Sequence, residues 1–264
     1  CSGRRAHGVD ESGICDRNDV NRNAVIDTSQ QQAPEPVSRW QEIVLVLGVA
    51  IALSLVFWLP LWQGAGLVGG DIYTYFFPQK AYFAEQLQAG HFPLWNNRVG
   101  HGYPLVGESQ TGAFYPFHVL YALLDVNTAY NVVQLSHYVL AFLLTWLYAR
   151  RIGLATVGAL LAATVYVYGW FPPRICLEWA IIGGTWLPLA LWSVEGYLSG
   201  RRRRFLALLT MALGLQLLAG HFHLAFITQL VVAVYVPGRL WLASRGLPSE
   251  TIADRTGVAL RLAS

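Results

Sequence analysis

The chain contains little charge and almost no lysine. Only 12% of its 264 residues are Asp, Glu, Lys or Arg, whereas 55% are apolar, a composition outside the range of ordinary soluble domains. Lys80 is the only lysine, so arginine carries nearly all of the basic charge. A formal net charge of +3 is too small to favour nucleic acid as a partner and instead suggests orientation in a membrane. These features predict an all-α polytopic membrane protein.

Cysteine is also scarce. Cys1, Cys15 and Cys176 are scattered along the chain, with no C-x-x-C pair and no spacing that would hold a metal. This distribution excludes a disulfide framework and a cysteine-based zinc site.

Long apolar runs dominate the remainder of the chain. Runs of this kind approach the roughly 20 residues that a bilayer core requires, and Trp and Tyr cluster near their ends, as in interfacial belts. They predict six spans at about 43–62, 130–148, 154–170, 180–198, 205–219 and 222–241, with a long outer loop at about 63–129. Residues 1–38 are polar and predicted to be disordered. Residues 247–264 are predicted to be a cytoplasmic tail.

The arginines predict the orientation. Arg150 and Arg151 follow the second span, Arg201 to Arg204 follow the fourth, and Arg239 and Arg245 follow the sixth. If the N-terminus is cytoplasmic, all three groups face the cytoplasm, as the positive-inside rule requires. We interpret the run of four arginines as a topology anchor.

The outer loop begins with an acidic residue. Asp71 stands in Gly69-Gly70-Asp71-Ile72-Tyr73, just beyond the first span. An ionisable side chain at a membrane face is a functional candidate, although a solvated turn aspartate is the simpler alternative.

Pro near the start and Gly90 after the end of 78–89 predict a short amphipathic helix on the outer interface. His137 and Glu195 are predicted to be packing or interface residues.

Several motifs of the loop together carry a family resemblance. They are Asp71, Gly90-His91-Phe92-Pro93-Leu94-Trp95-Asn96, Gly100-His101-Gly102-Tyr103-Pro104-Leu105, Tyr115-Pro116 and Leu218-Ala219-Gly220-His221. With these motifs, residues 43–241 resemble the YfhO-type bacterial membrane proteins, within the GT-C glycosyltransferases. The resemblance implies transfer of a sugar from a polyprenyl-phosphate carrier to a cell-envelope glycan or lipid acceptor. This reaction would take place at the outer face of the bacterial inner membrane.

The resemblance also suggests roles for individual residues. Asp71 corresponds to the acidic residue of the first outer loop, where a carboxylate would act as general base on an acceptor hydroxyl. The growing charge of a leaving phosphate calls for cations or donors, for which the outward-facing candidates are Lys80, Arg98, His101, Arg174 and His221. Trp95 and Tyr103 are candidates for stacking on a sugar ring.

Glu178 allows more than one interpretation. It could be a second acid, a ligand with Asp71 for a divalent metal, or a surface carboxylate beside Arg174. No cofactor is otherwise predicted.

Two other functions compete with the transferase. One is a transporter for lipid-linked sugars, which should carry ionisable groups or broken helices at midspan. The other is an inactive or structural membrane subunit. Members of the family usually have more spans than the six predicted here, so we expect this chain to be an N-terminal piece or a subunit.

Overall fold

The fold was examined in a computed structural model, which describes residues 38–67, 69–169 and 178–245. Across these ranges the secondary structure is helical and no strand forms, apart from an isolated antiparallel bridge between Asn96 and Tyr103. The predicted all-α class is confirmed. The predicted disordered tail lies outside the described residues except for Ser38, and the predicted C-terminal tail lies wholly outside them.

Helices occupy every predicted apolar segment and part of the outer loop. In chain order they are α1 (Arg39–Trp62), α2 (Phe77–Gln88), α3 (Leu120–Leu123), α4 (Val126–Arg151), α5 (Thr156–Tyr168), α6 (Glu178–Gly184), α7 (Trp186–Gly200), α8 (Arg203–Leu218) and α9 (Phe222–Ser244). A π-helical turn, Ile72–Phe76, leads directly into α2. Short 3-10 turns at Ser109–Thr111 and Pro116–Val119 shape the rest of the loop.

Three of these helices are long and apolar enough to cross a bilayer: α1, α4 and α9. At 1.5 Å per residue, helices of 23 to 26 residues exceed the roughly 30 Å of a hydrocarbon core. α4 is the central helix and is largely buried, whereas α1 and α9 expose long apolar faces. Membrane character is therefore supported by the structure as well as by composition.

A proline bends α1 near its end. Pro60 lacks an N–H, and its ring crowds the preceding turn. Trp58, two residues before Pro60, accordingly has non-helical backbone angles (φ −126°, ψ 26°). The buried ring of Trp58 packs on Tyr138 of α4, with centroids 5.0 Å apart. Asn131 of α4 donates to the carbonyls of Leu61 and Ala65 at 3.2 and 2.8 Å, which satisfies backbone acceptors at this helix end.

Polar contacts define one end of the bundle, which we call the arginine end (Arg150, Arg151, Arg201 to Arg204, and Arg239). Near the start of α1, Glu42 accepts a hydrogen bond from Thr156 of α5 at 2.6 Å and pairs with Arg150 of α4 at 3.2 Å. Glu195 of α7, predicted to be a packing or interface residue, is buried and makes two hydrogen bonds to Arg239 of α9. These contacts join the helices at the end where the arginines lie.

The opposite end, the loop end, carries residues 69–124. Here the turn between α8 and α9 meets the loop at Gly220, which has φ +97°. A Cβ on Gly220 would lie 2.8 Å from the carbonyl oxygens of Ser109 and Gln110. Glycine is therefore required at this position both by the backbone angle and by the close approach.

Helices α7 and α8 pack closely through a second glycine. A Cβ on Gly196 would lie within 2.7 Å of three ring atoms of Phe205, which is itself buried.

We expect Gly196→Ala to lower the free energy of unfolding by about 1–3 kcal/mol, because the added methyl group overpacks the α7–α8 contact. Thermal unfolding of the purified protein in detergent measures this. Gly214→Ala in α8 is the matched control, since nothing lies within 4 Å of its Cβ position. Alanine there should raise stability by about 0.5–1 kcal/mol through helix propensity. Equal effects of the two substitutions would contradict the packing described.

Candidate functional site

Two glycines and a π-turn position Asp71. Gly69 and Gly70 have φ of +133° and +50°, so the chain reverses just before Asp71. The Asp71 carbonyl then accepts the N–H groups of Tyr75 and Phe76 at 2.8 and 3.0 Å, which starts the π-helical turn. The Asp71 side chain makes no capping hydrogen bond and is exposed. The backbone of Asp71 is thus held in place, and its exposed carboxylate is open to a ligand.

The carboxylate lines an open recess of about 530 Å³ at the loop end. The lining residues are Asp71, Thr74, Tyr75, Phe76 and Gln110. One wall is therefore the π-helical turn, and the other is the 3-10 turn that rests on Gly220.

Tyr103 supports the recess from outside. Its hydroxyl lies 3.0 Å from that of Tyr75, and its backbone pairs in both directions with Asn96 at 2.7 and 2.8 Å. Burial, and then the hydrogen bond to Tyr75, raise the pKa of Tyr103 above its ordinary value. The Tyr103 phenol is therefore a neutral hydrogen-bonding group that fixes Tyr75.

Lys80 is buried behind the recess, one helical turn after Phe76. It is only 3% exposed, and its Nζ donates to the Thr111 carbonyl at 2.6 Å. The same Nζ lies 3.4 Å from both ring nitrogens of His118. His118 Nδ1 lies 2.7 Å from the Gly112 carbonyl, which can only accept, so Nδ1 carries the proton. Burial first and Lys80 second hold the pKa of His118 well below its usual value.

His221 completes this region at the start of α9. Its ring is 7% exposed, stacks on Trp179 of α6 with centroids 4.0 Å apart, and lies 6.0 Å from the ring of Phe76. Among the described residues, neither ring nitrogen of His221 has a hydrogen-bond partner. Burial, followed by the charges of His223 and Lys80, lowers the pKa of His221 to about 4. A buried imidazole with two unused nitrogens is therefore available to a ligand.

Three of the predicted site residues lie away from the recess. Arg98 makes a two-pronged ion pair with Glu85 at 2.6 Å, and both side chains are exposed. The ring of Trp95 covers Gly102, where a Cβ would lie within 2.6 Å of three indole atoms. His101 is exposed near the same loop tip.

Two further predicted residues fall outside what the structure describes. Arg174 is not among the described residues, and Glu178 is described only as the first residue of α6, without its side chain. The pairing of Asp71 with Glu178 as metal ligands therefore stays a prediction. Among the described residues, no group of three or more His, Cys, Asp or Glu side chains could hold a metal ion.

Thr74, Tyr75, Phe76 and Gln110 line the recess but were not among the predicted site residues. Tyr75 could have been found, because a residue four positions after Asp71 shares its face in any helical turn. Gln110 carries no such signal, since it reaches the recess through the packing of a distant loop segment on Gly220.

Comparison with known proteins gives no relative: no protein-family model, no curated protein and no solved structure matches this chain.

The burial of His221 predicts a dependence of stability on pH. The folded ring stays neutral down to about pH 4, whereas an unfolded histidine binds a proton near pH 6.5. Protons therefore favour the unfolded chain, and the stability present above pH 6.5 is lost as the pH falls towards 4. We expect His221→Gln to reduce this loss by about 1–2 kcal/mol. Unfolding in detergent at a series of pH values measures it.

His101→Gln is the control for this prediction, because its ring is exposed at the loop tip. His118 is present in both variants and contributes the same slope to each. If the two substitutions change the pH profile equally, His221 is not held neutral by its surroundings.

Proposed function

We propose that this chain is a membrane glycosyltransferase of GT-C type that uses a polyprenyl-phosphate sugar and a cell-envelope acceptor. The observation that carries the proposal is the exposed Asp71 on an open recess, with two buried side chains near its lining. Lys80 bonds the carbonyl of Thr111, the residue after Gln110, and the His221 ring lies 6.0 Å from that of Phe76. The motif resemblance of residues 43–241 supports the same function.

The proposed chemistry needs a base and a group that stabilises the leaving anion. Asp71 takes the proton of an acceptor hydroxyl as that oxygen attacks the anomeric carbon of the sugar. The bond from this carbon to the carrier oxygen breaks, and its electron pair leaves on the phosphate. Lys80 and a donor nitrogen of His221 favour that charge, because a buried cation or donor acts more strongly than one in water. Tyr75 and Gln110 offer hydrogen bonds to the sugar hydroxyls.

The proposed topology has six spans with the N-terminus in the cytoplasm. In this arrangement the arginine end faces the cytoplasm and the recess faces outward, in the inner membrane of a bacterium. The contacts that gather Glu42, Arg150 and Thr156 at one end support it, since the recess lies at the other. The three shorter helices α5, α7 and α8 then cross beside α1, α4 and α9.

A transporter for lipid-linked sugars is the second candidate. The observation in its favour is the ion pair between the buried Glu195 and the partly exposed Arg239, because ionisable groups within spans mark transport pathways. The pair lies towards the arginine end of α7 and α9, and two tyrosines, Tyr235 and Tyr148, extend its hydrogen bonding. A structural subunit is the third candidate. Among the described residues, no contact specifically favours it.

We expect Asp71→Asn to lower sugar transfer at least about 100-fold, as loss of a general base does. The change is made at the native locus, and mass spectrometry of envelope glycolipids and glycans reads out the transferred unit. Glu85→Gln is the matched control, because Glu85 is an exposed carboxylate of the same loop that pairs with Arg98 away from the recess. Unchanged glycans in Asp71→Asn, at normal protein level, would leave transport or a structural role.

The topology is tested by labelling single cysteines from outside intact cells. In a background where Cys1, Cys15 and Cys176 are serine, Ser109→Cys should react with a membrane-impermeant maleimide. Ser199→Cys should react only after the membrane is opened, since it lies at the arginine end. Both serines are exposed, so access to the side chain does not bias the comparison. Labelling of Ser199→Cys in intact cells would contradict the proposed orientation.

A further inference from the structure

The turn between α7 and α8 gathers four exposed arginines. Arg201 adopts a left-handed conformation (φ +48°), and its N–H closes α7 on the Tyr197 carbonyl at 2.7 Å. Arg202 is extended, and α8 begins at Arg203. A left-handed conformation is strained for a residue with a side chain, so the turn keeps an arginine at some energetic cost where glycine would fit better.

Within the ranges that the structure describes, these guanidinium groups form no ion pair with an acidic side chain. Among the described residues, the ion pairs engage Arg98, Arg150 and Arg239, and none involves Arg151 or the arginines of the turn. Glu195, the acidic residue of α7, is already occupied by Arg239 and Tyr235. The first turn of α8 holds no acid, and cations at a helix N-terminus are disfavoured. The positive charge of this surface is therefore not neutralised within the described part of the chain.

Arg151 of α4 brings a fifth guanidinium to the same place. Its guanidinium carbon lies 4.8 Å from the ring centroid of Phe205, and that of Arg204 lies 5.2 Å from the same centroid. Trp192 also holds Arg151, at 5.0 Å. The buried Nε of Arg151 has no hydrogen-bond partner among the described residues. One aromatic ring thus holds two like charges close together, an arrangement that an anion would stabilise.

An apolar surface begins directly beside this cluster. Along α8, Leu206, Met211 and Leu217 are exposed by 40%, 46% and 53%. A ligand that binds both the arginine cluster and the apolar surface has an anionic head and apolar chains. Inorganic phosphate or an acidic peptide would bind only the arginine cluster. Juxtamembrane clusters of arginine attract anionic lipids in this way.

We propose that the turn Arg201 to Arg204, together with Arg151, binds the phosphate of an anionic phospholipid in the leaflet at the arginine end. The acyl chains of this lipid lie along α8. The turn is then a lipid site in addition to a topology anchor. This proposal does not depend on the transferase reaction.

The experiment is native mass spectrometry of the full chain, purified with a mixture of phosphatidylglycerol and phosphatidylcholine. We expect the unchanged chain to retain phosphatidylglycerol. In Arg202→Gln/Arg203→Gln the binding constant for this lipid should fall about 25-fold, since each arginine contributes about fivefold. Arg202→Lys/Arg203→Lys keeps the charge and should stay within about fivefold of the unchanged chain. Arg151→Gln leaves the turn intact and should lower binding about fivefold.

Arg245→Gln is the matched control, since this exposed arginine of the same end stacks on Trp241 at 4.4 Å, away from the turn. Thermal unfolding checks that each variant folds. If Arg202→Gln/Arg203→Gln does not fold, lipid retention by Arg151→Gln and by Arg202→Lys/Arg203→Lys tests the site instead. Equal loss in Arg245→Gln would overturn the site. So would unchanged retention in the turn and Arg151 variants, or full displacement of phosphatidylglycerol by millimolar inorganic phosphate.

Discussion

The arrangement of polar groups depends on one constraint: a hydrocarbon layer does not solvate charge or free backbone groups. The chain meets this constraint by sorting polarity to the two ends of its helices. Glu42, Arg150 and Thr156 bind one another at one end, and Asp71 with its recess lies at the other. Between the ends, several polar side chains bond within the bundle. His137 of α4, for example, bonds the Val133 carbonyl and the Tyr115 hydroxyl.

That inward bonding also anchors the outer loop. Tyr115 is buried, bonds His137 of α4 and accepts from the Trp186 indole of α7 at 3.2 Å, so a residue of the loop is held by two bundle helices. Close by, Gly220 allows the α8–α9 turn to touch the carbonyls of Ser109 and Gln110. A loop fixed at two such points can hold Asp71 and Gln110 on opposite walls of a recess. Preorganisation of this kind is what a polar site at a membrane face requires.

The sequence is a better guide to the fold than to the site. Apolar runs predict helices where α4 and α9 form, because length and composition act locally. Pro and glycine punctuation likewise predicts a helix close to the observed α2, although its interfacial placement stays a prediction. Residue type alone indicates Lys80, Tyr103 and His221, which lie around the recess. It indicates Arg98 equally, and that residue is bound to Glu85. No local pattern distinguishes these cases, because each depends on contacts between distant segments.

The burial of Lys80 has a consequence for any chemistry at the recess. An ammonium group at 3% exposure is costly to bury unless polar partners compensate it, and the Thr111 carbonyl supplies one at 2.6 Å. Burial, and then the Lys80 charge, hold the pKa of His118 well below its usual value, so the neighbouring ring carries no second positive charge. Asp71 lines the open recess, whereas Lys80 is buried and is not among the residues that line it. A ligand anion in the recess would therefore lie near a fixed positive charge that water screens only weakly.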